Sequence, residues 1–441
     1  MKYKILVAAL GIISGAAVFT GCATSGGIDT QIDVAMAQHY EKKYSYSAAT
    51  FNRTDILMEQ ARTKSISQAA GATVLNENIT EYNGNIYEYL LINAFNSLNY
   101  YNLGNLEEAL VEIRKIENKQ KLYVNLYGDL VLSKDEEDYS ALENAGSYMS
   151  LDMGQIYESF PREPKESDIY RDSAFAHYLA ALMYLQYGGG SPELHSKQYK
   201  ALWSQSNQAS LDDDLSIPKG YGRLDFIALG GRIICRHEKE LYFPDYDGDG
   251  IGDFIPSLRI DGVTIPAFRL KYVYPAIFED AEGHVAFPGT RISKIHVVLS
   301  DGRETNLELV ENLDLAVQKD VASKAKKAFV RSLFRSTLKK ASAVSAAAVG
   351  ISSTPADFRF LAELAAIASL EAVDLAETAD VRQAKNFPSV IYGGGFTLES
   401  GLYSGKIEYF DKNGKCLCCE YFKDIQVKEG IPVIVESVCL D

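Results

Sequence analysis

The stretch YEYLLINAFNSLNYYNLGNLEEALVEIRKI, residues 87–116, decides how the first half of this 441-residue chain is read. Leu90, Leu91, Ala94, Phe95, Leu98 and Tyr101 fall on one side of a helix, because steps of three and four residues return to the same face. Asn102-Leu103-Gly104-Asn105 interrupts the pattern, and Leu106, Ala109, Leu110, Ile113 and Ile116 restart it. Gly104 suits the left-handed conformation that ends a helix, and the Asn105 side chain suits the cap that starts the next. The spacing predicts two helices folded back on each other.

Working outward, two fainter copies flank this hairpin. Residues 32–62 give a helix, a break near Lys43-Tyr44-Ser45, and a second helix from Ala48 to Ala61. Residues 172–208 give Ala174 to Tyr187, a Gly188-Gly189-Gly190-Ser191-Pro192 break, then Glu193 to Gln208. Tyr100, Gly104, Leu106, Glu107, Glu108 and Ala109 resemble the turn and second-helix start of a tetratricopeptide repeat, with small Ala109 where the paired helices come closest. Asn93 and Asn96 depart from that signature, standing where Trp and Leu are usual. Three hairpins are the fewest that can stack and bury their own core. An irregular helical bundle is the alternative.

After Asp212-Asp213-Asp214 and Ile217-Pro218-Lys219-Gly220 the periodicity changes. Leu224–Ile234, Gly262–Tyr274, Lys294–Leu299 and Thr305–Leu309 are β-branched or aromatic runs of strand character. Residues 312–340 and 356–378 return to helix; the second is alanine-rich and apolar nearly all round, which predicts a buried helix. Leu402–Phe410, the turn Asp411-Lys412-Asn413-Gly414 and Cys416–Phe422 read as a hairpin with an Asn-Gly turn, and Ile431–Val438 as a last strand. The expected fold class is α+β: helical hairpins over residues 31–215, then a β-sandwich-like domain over 216–441 with a helical insertion at about 312–385.

The first residues have the parts of an export signal. Lys2 and Lys4 precede an uncharged run from Ile5 to Phe19, and Phe19-Thr20-Gly21-Cys22 follows. Fifteen or so apolar residues are too few to span a bilayer, which takes roughly 20. Small residues before Cys22, and the polar Ala23-Thr24-Ser25-Gly26-Gly27 after it, predict cleavage after residue 21, lipid on the Cys22 thiol and a tether over 22–30. The expected localisation is the cell envelope, at the outer membrane, facing the periplasm or the cell surface. A net charge of −15 excludes a basic footprint for nucleic acid.

Asp245-Tyr246-Asp247-Gly248-Asp249-Gly250-Ile251-Gly252-Asp253 has the spacing of a calcium loop. Carboxylates at positions 1, 3 and 5 converge, glycine at 6 permits the turn, and the carbonyl at 7 and acid at 9 add ligands. The predicted Ca²⁺ ligands are Asp245, Asp247, Asp249, Ile251 and Asp253, with Asp225 or Glu238 as candidates to complete the shell. Pro256 stands where a helix-loop-helix site carries its bidentate acid, so the loop is closer to the short aspartate loops of extracellular modules. Beyond Cys22, the cysteines are Cys235, Cys416, Cys418, Cys419 and Cys439, an odd number. On a regular strand Cys416 and Cys418 would share one face. Disulfide pairing, involving Cys439 among others, and free buried thiols both fit.

No nucleophile elbow, zinc-protease helix, phosphate loop or dinucleotide fingerprint occurs. The six histidines are scattered, and His237, between Arg236 and Glu238, reads as a surface residue. The order of features resembles an uncharacterised family of bacterial envelope lipoproteins with degenerate tetratricopeptide repeats and a C-terminal β domain. The matching stretches are Tyr82-Asn83-Gly84 with Tyr87-Glu88, Ala94 to Arg114, Gly222 to Gly231, Ala328 to Arg335 with Lys339, and Ala379 to Arg382 before Phe387-Pro388. Asp380 and Arg382 are read as a cap and ion pair. The resemblance implies envelope work and carries no activity. The expected function is a non-catalytic, lipid-anchored scaffold for an envelope protein partner. The alternatives are a calcium-dependent binder of peptidoglycan or other glycan, and, further off, a hydrolase.

Overall fold

The computed structural model describes residues 26–68, 81–132, 160–162, 164–188, 190–207, 215–243, 258–260, 263–265, 269–279 and 284–441. Among the described residues its first half contains three helical hairpins: α1 (Ile28–Tyr40) with α2 (Tyr44–Gln68), α3 (Ile86–Asn102) with α4 (Leu106–Leu132), and α5 (Ala174–Tyr187) with α6 (Pro192–Asn207). Successive hairpins pack on one another, α2 against α3 and α4 against α5. Gly104 adopts φ +76°, and its N–H donates to the Tyr101 carbonyl at 2.9 Å, which closes the α3–α4 turn as the sequence required. At the start of α3 the Glu88 carboxylate reaches back to the Asn85 N–H at 2.7 Å, a capping interaction.

The departures at Asn93 and Asn96 have a structural use. Asn93, Asn96 and Asn99, three residues apart on α3, are all buried. Asn93 donates to Glu112 on α4 at 2.6 Å, Asn96 to the Asn52 side-chain oxygen on α2 at 3.0 Å, and Asn99 to the Ser47 hydroxyl at 2.9 Å. A row of amides therefore fixes the register between neighbouring hairpins, because a slip would strand buried polar groups.

The second half contains β1 (Tyr221–Gly230), β2 (His237–Phe243), β3 (Leu258–Ile260), β4 (Val263–Ile265), β5 (Leu270–Ala276), β6 (Ile292–Leu299), β7 (Glu304–Asn312), α7 (Leu313–Ser353), α8 (Arg359–Leu375), β8 (Val390–Glu399), β9 (Gly401–Asp411), β10 (Cys416–Val427) and β11 (Pro432–Cys439). Among the described residues one seven-stranded sheet runs β10-β9-β6-β7-β8-β1-β11, and the pairs β2–β5 and β3–β4 stand apart. β11 lies parallel to β1; the other neighbours are antiparallel. The expected two-layer sandwich is thus a single sheet that coils on itself. Register shifts in β6–β9, β7–β8 and β9–β10 supply the bends. The curl brings the edge strands β10 and β11 together: Glu420 on β10 accepts from the Ser437 hydroxyl at 2.8 Å and the Val438 N–H at 3.3 Å on β11.

β1 shows how the halves join. Leu224, Phe226 and Ala228 point into the curl with Ile295, Val297, Ile407 and Tyr409. Ile227 and Leu229, the alternate residues, point the other way, into a core shared with Phe95, Phe175, Leu179 and Phe387. Gly393 on β8 leaves room for α5: a Cβ there would stand 2.8 Å from the Tyr178 ring.

α8 overturns one expectation. It packs on α7 through Ala366 and Leu370, but Phe360, Leu361, Leu364 and Leu375 are exposed. An apolar sequence produces a buried helix only where neighbours exist on every side, and α8 has α7 on one. No described helix is long and apolar enough to cross a membrane.

Candidate functional site

A concavity of about 1280 Å³ lies where the third hairpin meets the sheet. Its walls are the chain leading into α5 (Arg171, Asp172), the end of β5 with Phe278 and Glu279, and the first turns of α7 (Gln318, Lys319). β7 carries a buried acid, Glu311, into its floor. One Glu311 oxygen accepts from the Tyr170 hydroxyl. The other accepts from the Ser173 hydroxyl at 2.5 Å and the Phe175 N–H at 2.9 Å. Burial raises the Glu311 pKa, and these three donors oppose that rise. Glu311 thus caps the N-terminus of α5 from the sheet, with both oxygens hydrogen-bonded.

A second pocket of about 530 Å³ adjoins the first, with Arg171 and Asp172 lining both. His177 on α5 and His195 on α6 meet inside it, Nδ1 to Nδ1 at 3.0 Å. The outward nitrogens face acids: His177 Nε2 lies 2.9 Å from Asp172 Oδ1, and His195 Nε2 lies 3.3 Å from Glu117 Oε1. The His195 hydrogen bond is the main force holding the Glu117 carboxyl below its usual range. The ring centroids are 5.3 Å apart, so the rings meet end to end, as an N–H···N bond requires. Two ligands of a single metal would converge at an angle instead. All four ring nitrogens are engaged. Among the described residues, no group of three or more His, Cys, Asp or Glu side chains is placed to hold a metal.

Sequence reading saw these histidines as scattered. They are eighteen residues apart on different helices, so no local spacing announces them. His237 also differs from the expected surface residue: it lines the cleft, stacked flat on Phe278 with centroids 3.6 Å apart. Burial, then the Lys239 charge, lowers its pKa.

Other charged groups weld the halves. Glu88, fully buried and raised in pKa by that burial, accepts the Ala384 N–H at 2.6 Å beyond α8. His39 on α1 bridges Asn99 at 2.7 Å and Glu436 on β11 at 2.6 Å. Asp380 and Arg382 pair with each other, the guanidinium lying 5.1 Å from the Tyr82 ring of the helical half.

Cys22 and the predicted calcium ligands Asp245, Asp247, Asp249, Ile251 and Asp253 lie outside the described residues. The two candidates for completing that shell are otherwise committed. Asp225 is fully buried, with the Arg223 Nε 2.9 Å from each carboxylate oxygen and the Tyr178 hydroxyl donating at 3.1 Å. Glu238 accepts the Ala379 N–H at 2.9 Å.

No family model, curated protein or solved structure matches the chain.

Proposed function

We propose that the chain is a lipid-anchored envelope scaffold, tethered through Cys22, that binds a segment of a partner protein without catalysing a reaction. The observation that carries this is the occupied state of the cleft's chemistry. Glu311 is consumed by three donors, and His177 and His195 by each other and two acids. What faces the open volume is a mixed surface of Arg171, Lys319 and Glu279 beside Phe278, the composition of a binding surface. The stacked hairpins support a tetratricopeptide-like reading of the helical half, and such arrays present grooves to partner segments. In this reading the Asp245–Asp253 loop holds a structural calcium that braces the chain between β2 and β3.

A photo-crosslinking residue at Gln318, in the cleft, tests the proposal in intact envelopes against the same residue at Lys423, far out on β10. A discrete protein adduct from position 318 and none from 423 is the expected result. Identical patterns from both would sink the cleft as the binding surface. Adduct formation that survives Asp247→Ala with Asp249→Ala would leave calcium bracing out of the binding mechanism.

A further inference from the structure

The seam between the two edges of the coiled sheet contains chemistry that the cleft does not use. Strands β10 and β11 are the free edges, and free edges invite pairing with other chains unless they are closed or covered. Here they approach without a backbone ladder. Side chains bridge them: Glu420 takes the Ser437 hydroxyl and the Val438 N–H, and the Tyr409 hydroxyl donates to the Ser437 oxygen at 2.7 Å.

Each edge also brings one thiol to this seam. A register shift between Cys416 and Cys418 breaks the alternation of β10, so the two do not share a face as a regular strand would require. Cys416 pairs with Phe410, while Cys418 pairs with Tyr409, whose ring is buried inside the curl. Cys418 therefore packs against the inner core, and Cys416 and Cys419 are exposed. Cys439, on β11, belongs to the same inner core and is 4% exposed. Cys418 thus packs on the same cluster that contains Cys439, beside the Glu420–Ser437 and Glu420–Val438 contacts that join the two edges, and both are free thiols in this structure.

We propose that Cys418 and Cys439 form a disulfide that closes the sheet into a covalent ring under oxidising conditions. The oxidant is a disulfide donor, a small-molecule or protein disulfide of the kind present where exported proteins fold. Cys418, the more accessible thiol, attacks one donor sulfur as its thiolate, forming a mixed disulfide and releasing the first donor thiol. Cys439 then loses its proton to solvent and attacks the Cys418 sulfur, forming the protein disulfide and expelling the second donor thiol. Two cysteine thiols are oxidised and one donor disulfide is reduced to two thiols. Burial, then the neighbouring Cys418, pushes the Cys439 thiol up to about 12, so ring closure is the slow step and quickens as pH rises. Cys416 and Cys419 point away and serve as internal controls. The closed strand is also the one that holds α1 through His39 and Glu436, so the bond would stiffen the joint between the halves.

The chemistry is independent of the scaffold reading; its occurrence in the cell rests on export. The full chain is incubated with oxidised glutathione and mapped by non-reducing peptide mass spectrometry. A Cys418–Cys439 cross-link is expected, lost in Cys418→Ser and retained in Cys416→Ser and Cys419→Ser. The cross-linked protein should melt roughly 5 °C higher than the reduced form. Cys418→Ser provides the test should Cys439→Ser, which alters a buried position, fail to fold. Cross-links from Cys416 or Cys419 to Cys439, or folded protein that stays fully reduced in excess oxidised glutathione, would overturn the proposal.

Discussion

α5 and α8 are both rich in alanine and leucine, yet the first disappears into the molecule and the second lies on it. From Ala174 to Tyr184 every residue of α5 is buried, whereas α8 buries only Ala366, Leu370 and Asp374. The difference is in the neighbours. α5 touches α3, α4 and α6 on its flanks and strands β7 and β11 beneath, while α8 rests on α7 and the margin of β5. Apolar composition supplies the capacity for burial, and the surrounding elements decide whether it is used.

The comparison breaks most clearly at equivalent leucines. Leu179→Ala on α5 removes a fully buried side chain from the shared core and should cost about 2–5 kcal/mol, read as a shift in the urea midpoint. A smaller loss would mean that the hairpin and sheet are less tightly joined than their packing indicates.

The means of attachment sharpens it next. α1 is tied to the sheet by a buried His39–Glu436 pair. Burial works against the His39 charge, but Glu436 and Asn99 outweigh it and raise the folded pKa. The contribution is therefore complete below the unfolded histidine pKa, near 6.5, and is lost as pH rises through the higher folded value. Unfolding across that window should show stability falling with pH in the native chain and a flatter profile in His39→Gln. Equal slopes would remove His39 from the joint. The smallest effect is expected at α8: Leu361→Ala should change stability by less than about 0.5 kcal/mol, because its side chain already meets solvent. A destabilisation comparable to that of Leu179→Ala would show α8 to be covered in solution.

Much of the helical half was legible because its signals are short-range. Gly104 and Gly188 end helices through their own backbone freedom, and the apolar period between them needs no knowledge of the rest of the chain. The helical insertion between β7 and β8 and the hairpin of β9 and β10 were legible for the same reason. β8 was not: its Gly393-Gly394-Gly395 run carries no strand signal of its own, and it pairs with β1 where Gly395 lies close to the β1 backbone and Gly393 close to Tyr178. Of the site, the meeting of His177 with His195, the capping of α5 by Glu311, and the place of His237 in the cleft wall were not legible.

The sequence alone determined the α+β division and the three helical hairpins found among the described residues. These are written in spacings of a few residues, where chain connectivity places the groups whatever the remainder does. Tertiary structure alone decided that the strands would coil into one sheet and not stack as two. It also decided that α8 would lie exposed, and that Cys418 and Cys439 would share one core at the seam. Those outcomes depend on bulges, twist and the sum of many packing choices, so residues with no relation along the chain become neighbours only when the whole sheet has closed.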